Sequence, residues 1–250
     1  MTPEQIRDRI FHTYFLVRRG LLWLAVALPL LLLAVGWRHQ IQLGGSMSEY
    51  YFAFNPHDSP LRVFPARAVF VGILFVLGIC LILYRGFSNT EDRVLDLAGA
   101  MAVIAALWPM QAPDYCKNCG STTFSYVHEG AGIILFLCMA FVAFACVDET
   151  LVQLPDRERR WFRTGYFVLA TLLLVAPFAV GILAYKLGRY DSRLFYAEWA
   201  AIWIFAAYWG LKTYELSQSN LEVLAMRGEM PIRQLPASPS LRQRASRLLD

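Results

Sequence analysis

DYCKNCGSTTFSYVHEG (residues 114–130) runs directly into AGIILFLCMAFVAFACV (residues 131–147), and Asp148 closes the stretch. It holds the only close cysteine pair, one of the four histidines, and an apolar run long enough to cross a bilayer. The last feature recurs along the chain. Of 250 residues, 57% are hydrophobic and only 17% charged, where a soluble domain carries about a quarter. The apolar residues arrive in uninterrupted blocks, which excludes one or two soluble domains in favour of one integral membrane domain.

Working outward, the blocks predict an all-α polytopic protein of six transmembrane helices, over about 20–37, 67–84, 94–110, 127–147, 164–185 and 194–211. Residues 1–19 predict an amphipathic helix at the membrane surface, with a plain cytoplasmic extension of the first span as the alternative. Thr2 and Gln5 fit a capping box, Pro3 fits the first helical position, and Ile6, Ile10 and Val17 share a face. No small-residue cleavage site follows the first apolar block, so it is read as a retained span with a kink at Pro29. Gly72 and Gly78 in the second span, and Ala98, Ala102 and Ala106 in the third, form small-residue surfaces that let helices approach closely. Residues 212–250 read as a basic cytoplasmic tail.

With the N-terminus inside, 16 of the 23 Lys and Arg fall on the cytoplasmic side and 7 outside. This asymmetry orients both termini to the cytoplasmic side of the membrane. The net charge of +4 then needs no nucleic acid as a partner.

Orientation decides how the cysteines are read. Cys116 and Cys119 fall in an outer loop, where a structural disulfide is expected. A zinc site on Cys116, Cys119 and His128, with Asp114 or His57, is the weaker alternative, because no second ligand pair accompanies them. No cofactor is expected. Phosphate-binding, dinucleotide, zinc-protease and nucleophile-elbow motifs are all absent from the sequence.

The remaining candidates are charges within or beside the spans, which are expensive there and therefore functional by default. Glu198 lies in the sixth span. His128 and Glu129 open the fourth, and Arg67 opens the second, all toward the outer leaflet. The first outer loop adds Ser46, Ser48, Glu49, Tyr50 and Tyr51. If the three spans are neighbours, an acid, an imidazole and a guanidinium converge in an outer pocket lined by Ser48, Tyr50 and Tyr51. The bland alternative pairs Glu198 with Arg67 or Arg193 and gives His128 one interfacial hydrogen bond. At the inner side, capping and helix-dipole pairing account for Arg85, Glu91, Asp92 and Asp96.

The runs GSMSEYY (Gly45–Tyr51), VFVG (Val69–Gly72), LYRG (Leu83–Gly86), Glu91-Asp92, Ala98-Gly99 and ALWP (Ala106–Pro109) resemble a poorly characterised family of bacterial six-span membrane proteins. The resemblance extends to the histidine at the start of the fourth span (His128), the acid in the last (Glu198) and a W-x-x-K ending (Trp209–Lys212). It implies no established activity. A distant similarity to ceramidase and adiponectin-receptor-like hydrolases would place Ser48 and Asp96 near a zinc ion. Six spans rather than seven, and the lack of H-x-x-x-H, depart from that pattern.

The expected function is binding of a lipid, a small ligand or a partner membrane protein (another copy of the chain included) in the outer-leaflet pocket. Two alternatives stay open: a lipid hydrolase or transferase using His128 and Glu198, and a proton-responsive transporter using the same pair.

Overall fold

The computed structural model describes residues 2–38, 43–52, 65–110, 125–151 and 154–219. Among these the chain is all-helical, with no strand: α1 (Pro3–Arg38), α2 (Pro65–Leu83), α3 (Asn89–Leu107), α4 (Ser125–Ala145), α5 (Asp156–Lys186) and α6 (Arg193–Ser219). Two 3-10 turns, Ser48–Tyr51 and Val147–Glu149, sit in the connections after α1 and α4. Five helices (α1 over His12–Arg38, α2, α4, α5 and α6) are long and apolar enough to cross a membrane. A multi-pass membrane protein follows from that length and composition.

The N-terminal capping box forms. The Gln5 amide donates to Thr2 Oγ1 at 3.3 Å, and the Thr2 amide donates to Gln5 Oε1 at 2.9 Å. The helix it starts does not stop at residue 19. α1 is one continuous helix of 36 residues through Pro29. At 1.5 Å per residue it is roughly 54 Å long, more than a bilayer core requires. The sixth apolar block likewise continues as helix past residue 211, to Ser219.

α3 differs from the other five. Glu91, Asp92, Arg93 and Asp96 occupy its first two turns, which leaves a short apolar remainder. Those charges are spent locally. The Glu91 amide donates to the N-cap hydroxyl of Ser88 at 3.2 Å, and the Glu91 and Asp92 carboxylates accept the Phe87 and Gly86 amides. Arg85 pairs with Asp96 at 3.3 Å, both half-exposed.

Each helix packs on its sequence neighbour, and α6 packs back on α1, so the contacts close in a cycle. The small-residue surfaces explain the tightest of these. Ala98, Ala102 and Ala106 are at most 1% exposed. Gly78 and Gly99 face each other across α2 and α3, and a Cβ on Gly78 would lie 2.7 Å from the Gly99 carbonyl oxygen. Gly72 has nothing within 4 Å of the same position. Large apolar side chains of α4 and α5, among them Ile133, Leu137, Phe144, Val175, Phe178 and Ile182, point outward and are exposed. Such a surface suits lipid rather than water.

Candidate functional site

Residues 43–52 form a short irregular clasp between α1 and α2, lying across the end of the molecule where α4 and α6 begin. Its local shape comes from Ser46 and Glu49. The Glu49 amide donates to Ser46 Oγ at 3.2 Å, and the Glu49 carboxylate accepts the Gly45 amide at 2.6 Å. This is a capping-box spacing built on a 3-10 turn. Gly45 is required by crowding: a Cβ there would sit 2.6 Å from Glu49 Oε1 and 2.9 Å from the Asp191 carbonyl oxygen.

Four other helices hold the clasp. The Gly45 carbonyl accepts the Phe195 amide of α6 at 2.8 Å, satisfying one of the orphan amides at that helix start. Glu198, half-buried one turn further along α6, accepts the Met47 amide at 2.5 Å. Ser46 Oγ donates to the sulfur of Met110, just past α3, at 3.3 Å. Arg67 of α2 donates through Nε to the Tyr51 carbonyl at 2.6 Å and lies over the Tyr51 ring, 4.3 Å from its centre.

The fourth helix, α4, supplies the most specific contact. His128 Nδ1 lies 2.8 Å from both the Ala105 and the Trp108 carbonyl oxygens, at the C-terminal end of α3. Its Nε2 lies 2.7 Å from Ser48 Oγ. Both side chains are 8% exposed. Two carbonyls can only accept, so Nδ1 carries a proton. In the neutral ring Nε2 is then an acceptor and the Ser48 hydroxyl donates to it. The carbonyls themselves are last-turn groups without helical partners. The negative end of the α3 dipole therefore faces the imidazole. Phe70 packs beside the ring at 6.3 Å.

Arg67, His128 and Glu198 thus do not meet one another directly. Each grips a different point of one segment: Tyr51, Ser48 and Met47. Tyr50 is 2% exposed against Phe195, 6.0 Å away, and burial pushes its phenol up from the ordinary tyrosine value. It packs the clasp rather than lining an open pocket. Glu129 is exposed on α4. Cys116, Cys119, Asp114 and His57 lie outside the described residues. Cys138 and Cys146 are buried and Cys80 half-buried, and none of the three is in a disulfide. Among the described residues no three His, Cys, Asp or Glu side chains group as metal ligands. Both ring nitrogens of His128 already have protein partners.

A second polar cluster sits at the opposite end. Lys212, 1% exposed, donates to Thr150 Oγ1 at 2.9 Å and pairs with Glu215 at 3.5 Å; Glu215 is 0% exposed. Tyr166 donates its hydroxyl to the same carboxylate oxygen. The other oxygen, Oε1, is buried with no hydrogen-bond partner among the described residues. Sequence reasoning placed Lys212 at the head of a solvated tail. The i, i+3 spacing of Lys212 and Glu215, continuing the buried series Phe205, Trp209 and Leu216, was the available signal.

Comparisons with protein-family models, with curated proteins and with solved structures give no match, so the clasp and its four helices stand on geometry alone.

Proposed function

We propose that this is a six-span protein of a bacterial inner membrane, with both termini cytoplasmic. We further propose that it binds a lipid, a small ligand or a partner membrane protein at the outer leaflet through the clasp. α3 serves as the sixth span: its C-terminal end is level with His128 of α4, and Asp96 in its second turn pairs with Arg85, two residues past the end of α2. The bias of Lys and Arg supports the orientation.

One observation carries the binding reading. Three ionisable side chains on three different helices, each expensive at membrane depth, converge on one irregular segment of ten residues. Glu198 and Arg67 each hold the segment by a hydrogen bond that a headgroup ester, phosphate or amine can replace. Glu198 holds a bare backbone amide, and Arg67 holds a carbonyl. Displacing the Met47 and Tyr51 contacts frees an acid and a guanidinium together at headgroup level, on either side of the Ser48–His128 contact.

Native mass spectrometry of the full chain released from phosphatidylethanolamine–phosphatidylglycerol nanodiscs tests this. The wild type is expected to retain a bound lipid. Glu198→Ala is expected to lower its occupancy about tenfold, the equivalent of one lost hydrogen bond of about 1.4 kcal/mol. Equal retention by both proteins, or none by either, would count against the reading.

A further inference from the structure

We propose that Ser48 and His128 are a nucleophile–base pair that cleaves or transfers the acyl ester of a membrane lipid. This rests on the reading of the clasp as the outer-leaflet binding site and gives that site a substrate class.

The geometry meets three requirements of such a pair. The hydroxyl and the base are in contact: Ser48 Oγ lies 2.7 Å from His128 Nε2. The base is held in the tautomer that can accept a proton, because Nδ1 is committed to the Ala105 and Trp108 carbonyls at 2.8 Å each. Those carbonyls take the orienting role that a carboxylate fills in a Ser-His-Asp triad. They also stabilise the ring once it is charged, since they form the negative end of α3. Positive charge lies close by as well. Ser48 and Tyr51 are three residues apart in one 3-10 turn, where such positions eclipse, and Arg67 sits over Tyr51.

Depth selects the substrate. His128 is the fourth residue of α4, one turn in from the helix start. In a bilayer that places Ser48 Oγ below the headgroups and at the margin of the hydrocarbon, where glycerolipid ester carbonyls lie. A soluble ester does not reach that layer, whereas a lipid whose headgroup takes over the Glu198 and Arg67 contacts on either side of Ser48 brings its carbonyl to Oγ with the Ser48–His128 contact kept.

The step balances without any co-reactant beyond water or an alcohol. Ser48 Oγ bonds to the ester carbonyl carbon as its proton passes to His128 Nε2. The adduct collapses, the carbon–oxygen bond to glycerol breaks, and Nε2 returns the proton to the departing oxygen. Water, or the hydroxyl of an acceptor lipid, then attacks the acyl-Ser48 ester with His128 again as base. The products are the lysolipid, a fatty acid or an acyl group carried on the acceptor, and a free Ser48.

The test uses the full chain in phosphatidylethanolamine–phosphatidylglycerol nanodiscs with a long-chain alkyl fluorophosphonate, the site of addition being mapped by mass spectrometry. Wild type is expected to be phosphonylated at Ser48, Ser48→Ala to be inert, and Ser217→Ala, exposed at the opposite end of the molecule, to react as wild type does. His128→Gln is expected to react at least about 100-fold more slowly, the usual effect of losing a general base. Its thermal midpoint, measured alongside, separates loss of the base from loss of the fold. Wild type that stays unlabelled, or is labelled at another serine, overturns the proposal. So does His128→Gln labelled at the wild-type rate. Retained lipid without labelling removes the activity and leaves the binding reading; labelling without retained lipid does the reverse.

Discussion

Lys212→Met is expected to lower the midpoint of thermal unfolding by on the order of 10 °C. Glu215 is wholly buried, and Lys212 is its cationic partner at 3.5 Å. Removing one member of a buried pair leaves the other charge uncompensated, at a cost of about 3–5 kcal/mol. In a chain of this length each kcal/mol corresponds to roughly 2–4 °C. Thr150 loses its donor in the same variant, while Tyr166 continues to donate to Glu215. The double variant Lys212→Met/Glu215→Leu should recover most of the loss, because an apolar replacement of both partners removes the desolvation penalty of each. A thermal scan of the three proteins in one detergent decides it. A single variant as stable as wild type would mean that the cluster is solvated.

The second large effect belongs to the α2–α3 contact. A Cβ on Gly99 would lie 2.5 Å from the Gly78 carbonyl oxygen and 2.7 Å from a side-chain carbon of Ile82. The first is backbone and cannot swing aside, so α2 and α3 must separate along their whole seam. Gly99→Ala is expected to destabilise by about 1–3 kcal/mol. Gly99→Leu should prevent recovery of a monodisperse protein by size-exclusion chromatography. Gly72→Ala is the control. It sits in α2, the helix of Gly78, with open space around it, and should behave as wild type. If Gly99→Ala were equally silent, the close approach would be absent in the membrane.

These two sites show where sequence reading stops. Alanines four apart at 98, 102 and 106 mark a buried ridge by period alone, and they are buried. Gly72 and Gly78 look alike in sequence, and only the neighbouring helix distinguishes them. The Thr2–Gln5 box was legible because all its parts lie within one turn. The related box at Ser46 and Glu49 was equally local, yet the surrounding Gly and Pro residues marked that region as loop. Lys212 and Glu215 were hidden for a different reason. A charged pair following an apolar run has the pattern of a helix leaving the membrane. Only Tyr166 of α5 and Thr150, distant in sequence, bring it into the core. Arg67, His128 and Glu198 were nameable from their cost at membrane depth. What they grip was not, because it depends on which helices adjoin and on the path of the segment between α1 and α2.

The pairing of His128 carries both the site and its proposed chemistry, and nitrogen-15 NMR of histidine-labelled protein in nanodiscs reads it directly. The four histidines are few enough for His128→Gln to assign the resonances. Histidine free in water favours the proton on Nε2. The account predicts the opposite for His128: a single slow-exchanging Nδ1–H, with Nε2 unprotonated and shifted by the Ser48 hydroxyl, and that shift removed in Ser48→Ala. A proton on Nε2, or a solvent-averaged mixture unaffected by Ser48→Ala, would contradict the geometry on which the clasp, its binding role and the nucleophile–base pair all depend.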